Sequence, residues 1–467
     1  MSWSAGLGEL AERIDEARAP EAVRLRLRAV IADVLAAAIA SSGRPDVAAA
    51  RSALLAGTGP STVIGRFSGA APALAALVNA LPIAAEQNQD GHRPARGHPG
   101  SHVVPAVLAV AEAVGASGAA TLSAVLAGYE VGVRVGITMG GTPPGVHDIA
   151  TWGTVGAAAG VAHLMSAGDG AAVAAAVDLA AGAPVLPSAE VVFSGASGQL
   201  LLLGLGAHSG VVWGQAATAG LRPLPGALER HFLRWSAAPG AGPPRAPDGE
   251  QQEWTILEGY LKRHPTCAHL HGVQDAVEDL AARRPFAAEG IAGVEVRTYP
   301  QAAVFDAPRP ANDLAARFSI PWAVAAGLCG SGDSFAAEAL ADPRLQELAA
   351  RVSVVADPEL AGGYPAGRPA VVSVQMRDGS VHQAGAARPR GDGAAALEDP
   401  QVRGKPVRLI AGRWGRARAA AVLAAVDRLA EDGLAPLTAA LRGEGPGRLR
   451  REVDTAPTGA TGTEDRT

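Results

Sequence analysis

The sequence predicts a mainly α protein with a smaller α+β domain that carries an antiparallel sheet. Three observations point there. Through residue 220, apolar residues recur at helical spacing in segment after segment. A proline- and glycine-rich stretch, SAAPGAGPPRAPDGE at 236–250, then interrupts the pattern. Beyond it, alternating valines and an Asp378-Gly379 turn signal replace the helical period. The expected division is a large helical domain over 1–262, an α+β lid over 263–404, and residues 405–450 packing back on the helical domain. A disordered tail, 451–467, follows from its small polar composition.

The first helix is expected over 21–40, with Pro20 where a first turn tolerates proline. Others follow at 71–85, 104–114, 117–135, 151–165, 170–181 and 199–220, and Ser117 has the hydroxyl of an N-cap. Much of the apolar content is alanine and glycine, which let helix backbones approach closely; GAAAGVA at 156–162 is such a surface. In the second part, Val294, Val296 and Thr298 alternate with polar neighbours, as do Val352 and Val354. AVVSVQM and SVHQAGA flank the Asp-Gly turn as a hairpin. Helical pattern returns over 416–433.

Composition excludes several function classes. The 467 residues are 48% hydrophobic and 18% charged, with a formal net charge of −5, and no stretch concentrates lysine and arginine enough to track a phosphate backbone. Nucleic acid is not an expected partner. Cys267 and Cys329, the two cysteines, cannot build a disulfide framework or a zinc cluster, which suits a reducing cytoplasm. The N-terminus is interrupted by acidic residues and does not read as a secretory signal. The apolar run 199–220 contains His208, Ser209 and Gln215, so a buried helix is expected there and no membrane insertion. Phosphate-binding glycine loops, dinucleotide fingerprints and nucleophile elbows are missing.

Chemistry concentrates in three polar loops. EQNQDGHRPARGHPGSH, 86–102, places His92, His98, His102 and Asp90 in one insertion. The histidines lack the spacing of common zinc sites and have one nearby carboxylate, so no metal is expected. The plain alternative is a solvated loop whose histidines cap helices. GGTPPGVHDIATWG brings His147 just ahead of the Gly/Ala helix. EGYLKRHPTCAHLH gathers Lys262, His264, Cys267, His269 and His271 near the domain transition. Metal or nucleophile readings there find no second cysteine and no evident orienting carboxylate; a helix start with Lys262 and His264 in solvent is the alternative.

Taken in order, DGHRPARGHPG with PAVLAVAEAVGASG, LAGYEVGVRV, VHDIATWGTVGAAAGVAHL, LKRHPTCAHLH, ARFSIPWAVAAGL and ARPRG resemble the MmgE/PrpD family over nearly the whole chain. That family includes 2-methylcitrate dehydratases, cis-aconitate decarboxylases and iminodisuccinate epimerases. The resemblance implies a helical domain with an α+β lid, a homodimer, and proton chemistry on a small carboxylate substrate without metal or redox cofactor. It also implies catalytic roles for His98 and His147 as acid and base, Asp90 as support for their loop, and Lys262 as carboxylate anchor. Asn88, His92, Gln199, Cys267 and His271 would contact substrate. Departures accompany the matches. Asn88-Gln89-Asp90-Gly91 stands where dicarboxylate-processing relatives carry an aspartate-rich run, Gln199 at a position often held by lysine, and Cys267 at a histidine position. These changes point to a less anionic substrate, such as a biosynthetic intermediate. The implied activity is a lyase, dehydrating or decarboxylating. An isomerase, epimerase or cyclase using the same proton abstraction is the first alternative, and a non-catalytic binding or partner subunit the second.

Overall fold

Alanine and glycine decide how closely the first helices approach one another. The computed structural model describes residues 2–236, 253–330 and 333–443, so the loop expected after Ser236 and the expected tail lie outside the described residues. The helical part comprises α1 (Trp3–Glu12), α2 (Glu21–Ser41), α3 (Pro45–Leu54), α4 (Pro72–Ala80), α5 (Pro99–Val114), α6 (Gly118–Met139), α7 (Trp152–Met165), α8 (Gly170–Ala181), α9 (Ala189–Phe193) and α10 (Gly198–Thr218). Helix α7 is the hub. It packs against α5, α6, α8 and α10, and every residue from Trp152 to His163 is buried. At the α6–α7 crossing a Cβ on Gly128 would lie 2.7 Å from the Gly156 carbonyl oxygen, and one on Gly156 would lie 2.7 Å from that of Gly128. Only glycine permits this backbone contact. Gly128→Val should therefore lower stability by about 1–3 kcal/mol, read from the midpoint of urea unfolding; an unchanged midpoint would mean that the crossing tolerates separation.

The elements differ in detail from the sequence expectations. Pro20 is the N-cap of α2 rather than its first helical residue. Helix α4 stops at Ala80 instead of reaching 85, because Pro82 has no amide hydrogen to continue the helical hydrogen-bond ladder. Helix α5 starts at Pro99 and runs through Pro105, whose missing amide is outweighed by burial of nearly the entire first three turns. Ser117 does cap α6, accepting from the Ala120 amide. By length and composition α6 and α10 could each cross a bilayer; here 89% and 50% of their apolar windows are buried inside the molecule.

Two short strands, β1 (Gly91–His92) and β2 (Gly259–Tyr260), pair antiparallel and tie the 86–98 loop to the segment carrying Lys262. The larger sheet, formed by β3 (Ile291–Thr298), β4 (Val352–Ala356), β5 (Ala370–Met376) and β6 (Val381–Ala386), has the order β4-β3-β5-β6. The hairpin turns where expected, with Gly379 at φ 88°. The sheet is mixed rather than purely antiparallel, since β3 and β4 pair parallel through a helical crossover. The helix His271–Arg283 covers β5 and β6. The helix Pro400–Trp414 returns to pack on α2, and it is continuous across the expected 404/405 boundary.

Candidate active site

His98 sits at the N-cap of α5, followed by Pro99, whose fixed φ suits a first helical position. Its Nδ1 lies 2.6 Å from the Asp90 carbonyl oxygen. That oxygen can only accept, so Nδ1 carries the proton and Nε2 the lone pair. Burial, aided by Lys262, holds the ring well below the ordinary histidine pKa, and it is neutral. His147 has the opposite arrangement. Its Nδ1 accepts the Ile149 amide at 3.1 Å, which leaves the proton on Nε2. Asp148 Oδ1 lies 3.3 Å from the same Nδ1, but burial lowers the His147 pKa and raises that of Asp148, favouring the neutral pair. The hydrogen bond from the Ile149 amide thus sets the tautomer, and the Asp148 carboxyl is placed to return a proton to Nδ1 when Nε2 gives one up.

His102 joins the two histidine loops. Its Nδ1–H donates to the His98 carbonyl at 2.9 Å, and its Nε2 accepts from the Ala150 amide at 3.0 Å. Close packing adds to this: a Cβ at Gly97 would lie 2.4 Å from Asp148 Oδ2 and 2.5 Å from the Trp152 ring. Gln87, Arg96 and Ala150 have φ of 53°, 57° and 60°, left-handed geometry that non-glycine residues rarely adopt and that clusters at functional sites.

His98, His147, Lys262, Gln199 and Cys267 line one cleft of about 210 Å³. That space admits a small metabolite. Lys262 is buried, donates from Nζ to Gln87 Oε1 at 3.0 Å, and has no carboxylate partner among the described residues. Burial pushes its pKa down to about 7. Arg96 and Arg368 also line the cleft, their guanidinium carbons 5.0 and 5.9 Å from the centre of the Tyr364 ring. Asp148 is the one carboxylate among the lining residues. The wall is therefore cationic, with three neutral histidines set into it: His98, His147 and His269, whose Nδ1 is paired with the Tyr299 hydroxyl at 2.6 Å.

Other sequence candidates occupy different places. Asp90 is buried behind His98, where its carboxylate accepts from the Gly100 amide at 3.0 Å and the Ser101 hydroxyl at 3.2 Å. Burial and the neighbouring Asp33 raise its pKa to about 7. It fastens the loop to α5 and does not line the cleft. Nor do Asn88, His92 and His271, contrary to their expected substrate contacts. Both ring nitrogens of His92 are committed to backbone, Nε2 to Thr255 and Nδ1 to Ala95. The Asn88 carbonyl accepts from Lys405, and His271 packs edge-on against His264 while bonding Thr266. Lys262 and His264 are buried rather than solvated, and His264 does have an orienting carboxylate, Asp275 at 2.8 Å.

His264, Asp275 and Glu278 could together supply metal ligands, their donor atoms lying within 4.8 Å of one another. The Arg263 guanidinium already bridges both carboxylates, so this cluster is satisfied by a side-chain cation. Sequence reasoning missed Arg96, Arg368, Gln87 and Gln89 as cleft residues. Arg96 at least lies inside the DGHRPARGHPG motif.

Lys405 is the buried anchor beneath the site. Its Nζ lies 2.7 Å from Asp33 Oδ1, 2.8 Å from the Asn88 carbonyl and 2.7 Å from the Lys262 carbonyl. An ammonium has three protons, and each has a partner.

Fold and site together define a largely helical protein with a smaller α+β unit and a cation-lined cleft presenting two histidines of complementary tautomer. The chain belongs to the MmgE/PrpD family: the family's N-terminal domain matches residues 6–232 and its C-terminal domain residues 264–431. The family is one of dehydratase/lyase-type enzymes. A comparison with curated proteins gave no match.

Proposed function

We propose that the cleft is the active site of a cofactor-independent lyase acting on a small carboxylate-bearing metabolite. The observation that carries this reading is the opposed tautomers of His98 and His147 on one cationic cleft. His98 Nε2, bare and neutral, is the base that takes a proton from the carbon beside the substrate carboxylate. The electron pair left behind forms the double bond as a hydroxyl leaves the adjacent carbon. His147 Nε2–H protonates that hydroxyl while Nδ1 takes up the proton of the Asp148 carboxyl 3.3 Å away, so water departs, the ring stays neutral and Asp148 is left as the carboxylate. In the decarboxylating variant CO₂ leaves first, and the carbanion takes its proton from His147. Arg96, Arg368 and Lys262 hold the carboxylate and stabilise the enolate charge. The isomerase or epimerase reading uses the same first step and returns the proton to carbon. The experiment that separates these is proton–deuterium exchange of candidate acids in heavy water, followed by mass spectrometry alongside product formation. Absence of any His98-dependent exchange would remove the reading.

Lys262 gives it a pH signature. An anion binds the protonated amine, so binding raises the lysine's pKa above its free value of about 7 and takes up a proton. Affinity is then fully present below pH 7 and falls as pH rises through that value. KM should climb by up to about tenfold per pH unit above 7. In Lys262→Met that limb should flatten, with KM raised throughout; a wild-type KM flat from pH 6 to 9 contradicts the anchoring role.

A further inference from the structure

Besides the Nε atoms of the Arg96 and Arg368 guanidinium groups, three buried amide atoms in the residues lining the cleft have no hydrogen-bond partner among the described residues: Gln199 Oε1, Gln199 Nε2 and Gln89 Oε1. Their side chains are buried, at 0% and 2% exposure, so bulk water does not satisfy them. Gln87 on the same wall contrasts with them, since its Nε2 donates to the Ala84 carbonyl at 2.9 Å and its Oε1 accepts from Lys262. The site thus offers a ligand two unused acceptors and one unused donor, besides its cations.

A carboxylate supplies only acceptors. It could take the Gln199 N–H but would set negative charge against two amide oxygens. A primary carboxamide supplies two N–H donors and one carbonyl acceptor, the complement of the three free atoms. Arg96, Arg368 and Lys262 meanwhile provide for one carboxylate.

We infer that the cleft selects a small acid carrying a carboxylate at one end and a primary carboxamide at the other, the amide end received by Gln199 and Gln89. This rests on the carboxylate-binding reading above. A site built to pair with a donor discriminates strongly against an analogue lacking it, because its own buried groups are then left unpaired.

The test is calorimetric titration of the full-length protein with three matched pairs: malonamate and malonate, succinamate and succinate, glutaramate and glutarate. The half-amide of the best-fitting length should bind at least tenfold more tightly than its diacid. Gln199→Met, similar in length without the amide, should reduce that ratio to within about threefold. If diacids bind as tightly as half-amides or better, the amide inference falls while the carboxylate site stands. If neither class binds, both fall.

Discussion

Replacing His98 by Asn should abolish carbon-proton exchange, lowering it by about two orders of magnitude or more, while the thermal midpoint stays near that of the wild type. Asparagine's Nδ2 can keep the donation to the Asp90 carbonyl that Nδ1 makes now, so the loop retains its anchor and loses only the Nε2 base. His147→Asn is the informative partner. Its Oδ1 can still accept the Ile149 amide, but the Nε2 proton is gone. If the two rings divide the labour as proposed, this variant should continue to exchange the substrate's carbon proton while product formation drops by about 100-fold or more. Equal loss of exchange and product in both variants would mean that His147 also acts in proton abstraction. Retained exchange in His98→Asn would assign the base elsewhere.

Lys405→Met should cost about 3 kcal/mol of stability, measured by urea unfolding. Breaking a buried ion pair by removing one partner costs about 3–5 kcal/mol. The lower figure is expected because burial already pushes the Asp33 carboxyl above its ordinary range, so without Lys405 it can take up a proton. The Asn88 and Lys262 carbonyls lose their donor at the same time. Adding Asp33→Leu should restore part of the stability by replacing the pair with apolar contact, but not the activity, because the two loops stay unanchored. A Lys405→Met variant of wild-type stability would show that the pair contributes nothing net.

Much of the helical domain was legible in the sequence because a local period of apolar residues is enough to mark a helix. The ends were less so. The stop of α4 at Ala80 depends on Pro82, and the passage of α5 through Pro105 depends on burial that no local pattern reports. The mixed sheet escaped for a related reason: strand alternation reveals which residues face inward but not whether β4 returns parallel to β3. At the site, His98 and His147 stood in recognisable motifs. His92 was as prominent in the same loop yet proved wholly committed to backbone, since partners such as the Thr255 carbonyl come from distant sequence. Arg96 and Arg368 carry no local signal of their own, since only the fold brings positions so far apart in sequence to one cleft. Lys405 was the least visible, as it is one lysine in an otherwise unremarked amphipathic stretch.

The position of Lys405 also bears on when the molecule becomes competent. Its three partners come from α2, the 86–98 loop and the segment after β2, whereas the lysine itself lies on one of the last described helices. Contacts of such sequence separation form late in folding, because loop closure must precede them. During synthesis, the helical domain and the sheet can be in place while the backbones of Asn88 and Lys262 still lack their common donor. Catalytic competence should then be acquired last, as a single event when the returning helix docks.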